Sequence, residues 1–385
     1  MWRHIAANAL TFLTVALFLL VGLVSWGQNS YRAAGPLETA ICVEVPRGGT
    51  MRALSDRLVD QGAISSDFIF AAGADYQGKT ADLKFGQYLV PAGASMAEIV
   101  DIVTRGGRST CGSEIVYRIG INRTVVDVRE LDPATNRFVE QAEFVLGEDA
   151  LPAAYTDLKQ NGEPTFRLVV AEGVTSWQIV NALQQMDILV NDAPPVPDEG
   201  WLAPRDYEVR PGDTVSSVLD RMRITQDQIL AVAWQNRAEG LPLNTPYEAL
   251  ILASIIEKET SVADERRQVS SVFVNRLNRG IRLQTDPTVI YGITRGEGVL
   301  GRGLRRSELD RETPWNTYVI NGLPPTPIAN PGKAAIEAAL DPDQTDYLFF
   351  VADGTGGHAF ATNLADHNRN VARWREIEAQ QGNGG

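Results

Sequence analysis

The chain has 385 residues, 44% hydrophobic and 22% charged, an ordinary globular balance with room for more than one domain. Its 35 Lys and Arg face 48 Asp and Glu, giving a formal net charge of -13. That argues against nucleic acid, whose binders need a basic face to displace counterions, and against a broad electrostatic grip on anionic lipid headgroups.

After Trp2, Arg3 and His4, an apolar stretch runs from Ile5 to Trp26. This is roughly the 20 residues that cross a bilayer as a helix. A cleaved signal peptide begins the same way, but Trp26-Gly27-Gln28-Asn29 is a poor cleavage site. Residues 1–27 therefore read as a short tip and an uncleaved transmembrane anchor. Arg3 puts the tip in the cytoplasm and the remaining chain outside it, although Arg32 beyond the span thins that signal. Cys42 and Cys111 are the two cysteines. Without a CxxC pair or a Cys/His cluster they predict no zinc site, and whether they pair stays open.

Four stretches then share one pattern. Val43-Glu44-Val45-Pro46-Arg47-Gly48-Gly49-Thr50 leads into Leu54 and Leu58, and Tyr88-Leu89-Val90-Pro91-Ala92-Gly93-Ala94-Ser95 into Ile99 and Ile102. Leu168-Val169-Val170-Ala171-Glu172-Gly173-Val174-Thr175 leads into Ile179 and Leu183, and Tyr207-Glu208-Val209-Arg210-Pro211-Gly212-Asp213-Thr214 into Val218 and Met222. Each predicts a strand, a glycine turn, a Ser/Thr cap and an amphipathic helix. The pattern resembles LysM-like modules, which bind N-acetylated glycans; a plain β-turn-α junction uses the same residues. On this reading modules occupy 38–108 and 163–245. The alternating segment 109–162 is a β-rich insertion, and the prolines of 191–204 mark a linker.

Helical periodicity dominates from Tyr247 to Leu277, with a stop at Gly280. Asp286-Pro287 predicts a short helix with Asp as cap and Pro at its first position, and Asn330-Pro331 repeats the device before Ala334 to Leu340. Strands around Asp353-Gly354-Thr355-Gly356-Gly357 form a hairpin. A last helix spans Leu364 to Glu378, and Gln380 onward is expected to be disordered. Residues 246–379 read as one further, mostly helical segment with a C-terminal hairpin.

The feature with most chemistry is Leu250-Ile251-Leu252-Ala253-Ser254-Ile255-Ile256-Glu257-Lys258-Glu259-Thr260. At about 100° per residue, Leu252, Ile255, Ile256 and Glu259 share one face, and Glu257 points roughly 200° away, toward solvent or the helix flank. A carboxylate on an apolar face resists ionisation, which suits a general acid. The competing reading makes Glu259 a buried ion-pair partner of Arg266 or Arg282. His4, His358 and His367 suit neither a Ser/His/Asp arrangement nor a metal site, and no phosphate or dinucleotide fingerprint occurs. Carboxylate acid/base chemistry without a cofactor is what remains.

Glu257-Lys258-Glu259-Thr260, then Ser271-Val272-Phe273-Val274-Asn275-Arg276-Leu277 and Leu283-Gln284-Thr285-Asp286-Pro287, resemble the YceG-like family of endolytic murein transglycosylases. So do Asn316-Thr317-Tyr318, Gly322-Leu323-Pro324-Pro325, Ile328-Ala329-Asn330-Pro331-Gly332 and Gly357-His358-Ala359-Phe360. The likeness is good from Glu199 to Arg373 and holds in outline before it. Pro204-Arg205-Asp206-Tyr207 departs from the Pro-x-Thr-Tyr usual there.

The resemblance implies an α+β protein: an N-terminal transmembrane helix, LysM-like βα modules, then a mostly helical lysozyme-like catalytic domain with a C-terminal β-hairpin. It implies an inner-membrane anchor with the bulk in the periplasm, peptidoglycan glycan strands as substrate, and peptidoglycan synthases as a partner class. One catalytic glutamate lies in the Glu-Lys-Glu segment. More distant lysozyme-like enzymes end an apolar helix on Glu-Ser, so the role carries to Glu259, with Glu257 second. Gln284, Asn316, Tyr318 and Asn321 are the expected sugar contacts, with Asn316 and Asn321 open to being turn residues. Asp286 reads as a helix cap. The expected reaction cleaves the bond from N-acetylmuramic acid to N-acetylglucosamine, with Glu259 as acid and then base, and leaves 1,6-anhydro ends. A hydrolytic muramidase using Asp286 as partner and a non-catalytic wall-binding scaffold are the alternatives.

Overall fold

A computed structural model describes residues 2–105, 111–161 and 164–382. The chain forms two compact units, one of Met1–Ile115, Val128–Ala142 and Ala153–Thr165, the other of Val116–Asp127, Glu143–Pro152 and Phe166–Gly385. The architecture is mixed α+β with an N-terminal apolar helix. The expected segment edges near 108–109 and 162–163 fall on or beside residues outside those described.

The first unit opens with α1 (Trp2–Arg32), of which Thr11–Arg32 is long and apolar enough to cross a membrane, its most apolar stretch being unburied. There follow β1 (Ile41–Val45), α2 (Met51–Asp60), α3 (Asp67–Tyr76), β2 (Gly86–Val90) and α4 (Met96–Thr104). β1 and β2 pair antiparallel, from Ile41 opposite Val90 to Val45 opposite Gly86. Leu54, Leu58, Phe70, Ile99 and Val103 fill the core beneath them. Cys42, on β1, is disulfide-bonded to Cys111 with their Cα atoms 5.6 Å apart.

Next come β3 (Ser113–Ile119), β4 (Thr124–Asp132), β5 (Arg137–Val145), α5 (Ala153–Asn161), β6 (Thr165–Val170), α6 (Ser176–Gln185), β7 (Asp206–Val209) and α7 (Val215–Gln235). A five-stranded sheet has the order β5-β4-β3-β6-β7.

The four expected strand–turn–helix junctions share one geometry. Gly48, Gly93, Gly173 and Gly212 have φ between +70° and +91°, the left-handed region that glycine adopts most easily. Two residues later, Thr50, Ser95, Thr175 and Thr214 accept the amide N–H three residues on, capping α2, α4, α6 and α7. Such a cap is worth about 1 kcal/mol. A fully buried Leu or Ile is worth roughly 1.5–3 kcal/mol, so packing, not capping, holds these helices down.

The remaining elements are α8 (Pro246–Glu259), α9 (Arg266–Asn278), α10 (Asp286–Thr294), α11 (Arg306–Leu309), α12 (Lys333–Leu340), β8 (Phe349–Ala352), β9 (His358–Ala361) and α13 (Leu364–Gly382). The helical periodicity from Tyr247 to Leu277 is carried by two helices, α8, which ends on Glu259, and α9. The chain leaves helical geometry at Thr260, which caps α8 in an extended conformation. Two cap assignments also change. Thr285, not Asp286, precedes α10, and Gly332, not Asn330, precedes α12. α13 runs four residues past Glu378, to Gly382; 383–385 lie outside the described residues.

α8 forms the centre of the second unit. Ala249 through Ile256 are all buried, and the helix packs against α7, α9, α10 and α12. It is therefore enclosed on every side and not amphipathic, which changes what its two glutamates meet.

Candidate active site

Glu259 is the last residue of α8, where the chain leaves the core. Its half-buried side chain lines two cavities. One, of about 430 Å³, is also bounded by Thr260, Ser261, the glycines of the β8–β9 hairpin, His358 and Trp374. The other, of about 190 Å³, is bounded by Arg276, Gln284, Thr285, Asp286, Tyr318 and Phe350. Burial raises the Glu259 carboxyl above its ordinary value. The Thr285 hydrogen bond opposes the rise, the Asp286 charge adds to it, and His358 and Arg276 oppose it.

The mount for that carboxyl comes from distant segments. The Thr285 hydroxyl donates to Glu259 Oε1. Thr285 N–H donates to Thr317 Oγ1 at 3.0 Å, and the Thr317 and Thr288 hydroxyls are 2.8 Å apart. Gln284, at φ +51°, donates its N–H to the Thr317 carbonyl at 3.1 Å. The Leu-Gln-Thr-Asp-Pro and Asn-Thr-Tyr motifs are thereby tied together. Arg276 lies beneath, its guanidinium donating to the carbonyls of Leu348 and Leu283, each at 2.7 Å.

Glu257 does not face solvent, one of the two directions the helical wheel allows. Its side chain is 5% exposed, because α8 is covered on that side as well. Oε2 accepts Gly332 N–H at 2.9 Å, and Arg266 lies 4.0 Å away, shared with Glu172 at 3.6 Å. Burial raises this carboxyl too, but Glu257 borders neither of the two cavities around Glu259. The ion-pair reading proposed for Glu259 thus falls on Glu257. Among the described residues Glu259 makes no ion pair, and Arg282 instead bonds the Tyr318 carbonyl and Asn321.

The expected sugar contacts divide. Gln284 and Tyr318 line the smaller cavity, and Tyr318 donates its hydroxyl to Asp286 at 2.7 Å. Asn316 is fully buried. Its amide donates to the carbonyls of Glu308, Leu309 and Arg311, and its oxygen accepts Tyr318 N–H, so it shapes the loop beneath Tyr318. Asn321 is exposed and holds Arg282. Asp286 is the first residue of α10 and lines the cavity with Glu259.

Sequence reasoning passed over Thr285, Arg276 and the pair His358–Glu265. Glu265 accepts both His358 N–H, at 2.9 Å, and the Nδ1 side of its ring, at 2.7 Å. A β-carbon at position 357 would meet the Glu265 carboxylate and displace it from this arrangement. Thr285 lay within a quoted motif, whereas nothing local marks Glu265.

The sequence profile of the YceG-like family matches residues 123–373. The chain belongs to that family. Relatives of this YceG-like chain include the endolytic murein transglycosylase of Streptococcus pneumoniae strain R6, 26% identical over 388 residues. That match covers 96% of this chain and 65% of the relative, so the chain spans about two thirds of the pneumococcal protein's length. The endolytic murein transglycosylase of Bacillus subtilis strain 168 is 27% identical over 338 residues, covering 86% of this chain and 84% of the relative. A solved yceG-like protein from Listeria monocytogenes is 27% identical with a TM-score of 0.45, covering 86% of this chain and 98% of that one. The family match begins at Arg123, inside the segment that the sequence reads as an insertion.

One further carboxyl of the YceG-like region is unusual. Glu199 is buried; Oε1 accepts Ser176 N–H at 2.7 Å and the Asn330 amide at 3.2 Å. Asn330 also bonds Leu202 N–H and the Val174 carbonyl, which explains why it is not a cap. Burial lifts the Glu199 carboxyl from 4.5 to about 7, against the opposing pull of Ser176, Tyr291 and Lys258. A carboxyl raised on folding stabilises the fold fully below its unfolded value and loses that contribution as pH rises through the folded value. At about 1.4 kcal/mol per pH unit the loss approaches roughly 3 kcal/mol. Urea midpoints of the wild type are expected to fall between about pH 5 and pH 8. Glu199→Gln, which keeps an acceptor but no charge, should show a smaller fall; an unchanged fall would contradict this assignment.

Proposed function

We propose that the chain is a membrane-anchored endolytic lytic transglycosylase. It cuts the β-1,4 bond from N-acetylmuramic acid to N-acetylglucosamine within peptidoglycan strands and leaves 1,6-anhydro-muramyl ends. The observation that carries the reading is Glu259: a desolvated carboxyl between two cavities, so that a strand can pass it with the scissile bond alongside.

Protonated Glu259 donates to the glycosidic oxygen, the anomeric C–O bond breaks, and positive charge develops at the muramyl anomeric carbon. The 6-hydroxyl of the same sugar closes on that carbon, and its proton returns to the Glu259 carboxylate. Atoms balance without water, and the 2-acetamido group assists in place of a second carboxylate. Gln284 and Tyr318 contact sugar; Thr285 holds Glu259 in register.

Residues 246–379 form the catalytic domain on this reading, and the capped βα junctions within 38–108 and 163–245 are the LysM-like modules. α1 is the inner-membrane anchor with the bulk in the periplasm. The Cys42–Cys111 disulfide supports that side, since such bonds persist in oxidising compartments. Peptidoglycan synthases are the partner class.

A hydrolytic muramidase is the second reading, favoured by Asp286 in the cavity with Glu259. Digestion of purified peptidoglycan in oxygen-18 water separates the two. The transglycosylase leaves unlabelled anhydro ends. Label at new reducing ends would replace it with the hydrolase.

A further inference from the structure

The apolar segment of α1 ends at Trp26, but the helix continues to Arg32 without a break. Tyr31, 6% exposed, lodges on α3, where a β-carbon at Gly73 would run into its ring. α1 also packs on α4. Just past the helix, Gly35 N–H bonds the Gly93 carbonyl at 3.0 Å and Gly93 N–H the Leu37 carbonyl at 2.9 Å. No free linker therefore separates the span from the first unit. Tyr31 lies five residues beyond Trp26, about 8 Å along the axis at 1.5 Å per residue. Each polar layer of a bilayer is roughly 5–8 Å deep, so with α1 spanning to Trp26 the contact of Tyr31 with Gly73 falls at headgroup level.

On α3 the side away from the core carries Phe68, 77% exposed, and Tyr76, 85% exposed, with Ala72 between them. At about 100° per residue these three form one strip within 80° of arc. Two large aromatic side chains are poor choices for a face meeting only water. Phe70 and Ala74 already supply the helix's contact with its core. Rings with an apolar body favour the membrane–water boundary. Asp75, about 20° from Phe68, and Asp67, about 100° from it, are exposed on one side of the strip and keep to water, which makes the immersion shallow.

We infer that this strip of α3 is a second membrane contact: Phe68 and Tyr76 insert into the headgroup layer beside α1 and fix the tilt of the first unit. The occupant is the lipid surface itself. Attraction is apolar, so zwitterionic lipid suffices; the chain's acidity gives no reason for an anionic one. The inference rests on reading α1 as a membrane span.

The test uses the full chain, disulfide intact, in phosphatidylcholine vesicles, with an environment-sensitive fluorophore on Ala72→Cys, which leaves both aromatics in place. A second sample carries the label on Phe18→Cys, inside the span. Quenching is read with aqueous iodide and with lipid spin-labelled near the headgroup. The expected result is blue-shifted emission at position 72, loss of iodide quenching and gain of lipid quenching. Adding Phe68→Ser and Tyr76→Ser should restore iodide access there and leave position 18 unchanged. Free iodide access at 72 with a lipid-shielded 18 would overturn the second contact and leave the anchor standing. Iodide access at both would overturn the anchor as well.

Discussion

Glu259→Gln is expected to lower peptidoglycan cleavage by about 10²–10⁴-fold, the usual contribution of a positioned general acid. Gln keeps the shape and still accepts from Thr285, but has no proton to give to the glycosidic oxygen. Because burial raises the carboxyl, the protonated fraction of Glu259 extends above the ordinary carboxylate range, and cleavage falls as pH rises through its folded value. Glu257→Gln should behave otherwise. Its amide oxygen can still accept Gly332 N–H, so activity persists, and the cost appears in stability through the lost charge beside Arg266. Initial rates of soluble glycan release for the two variants decide the matter. If Glu257→Gln loses activity and Glu259→Gln keeps it, the assignment is reversed.

The second large effect concerns the disulfide. Cys42 and Cys111 are 69 residues apart in sequence, and the bond ties β1 to the segment leading into β3. In the chain-entropy account, closing a loop of that length stabilises by about 4 kcal/mol, because the unfolded chain loses freedom. A Cys42→Ser, Cys111→Ser protein should therefore unfold at clearly lower urea, with loss of the first unit's structure. In the wild type, reductant should reproduce that loss. Identical midpoints with and without reductant would contradict a bond of this weight. For a protein made in a reducing compartment the same argument predicts a weakened first unit.

How much of this could be read from sequence depends on how local each signal is. The four capped junctions were legible because turn glycine, cap hydroxyl and apolar spacing lie within about ten residues of one another. The β8–β9 hairpin was legible for the same reason. The environment of α8 was not. A helical wheel assumes one solvent face, but α7, α9, α10 and α12 close round the helix, so Glu257 and Glu259 both point into protein. What separates them is not angle but neighbours: Gly332 and Arg266 occupy one, and open cavities adjoin the other. Asn316 shows the same limit. An amide in a loop motif suits a sugar as well as a turn, and only the three carbonyls around it reveal which is satisfied. The link from Thr285 to Thr317 joins segments 32 residues apart, beyond any local pattern.

The measurement that bears most directly on the account is the mass of the chain ends released when the full-length protein meets purified peptidoglycan. Wild type is predicted to generate 1,6-anhydro-muramyl ends from the interior of strands, and Glu259→Gln to generate next to none. Equal release by both proteins, or no anhydro ends from the wild type, would contradict it.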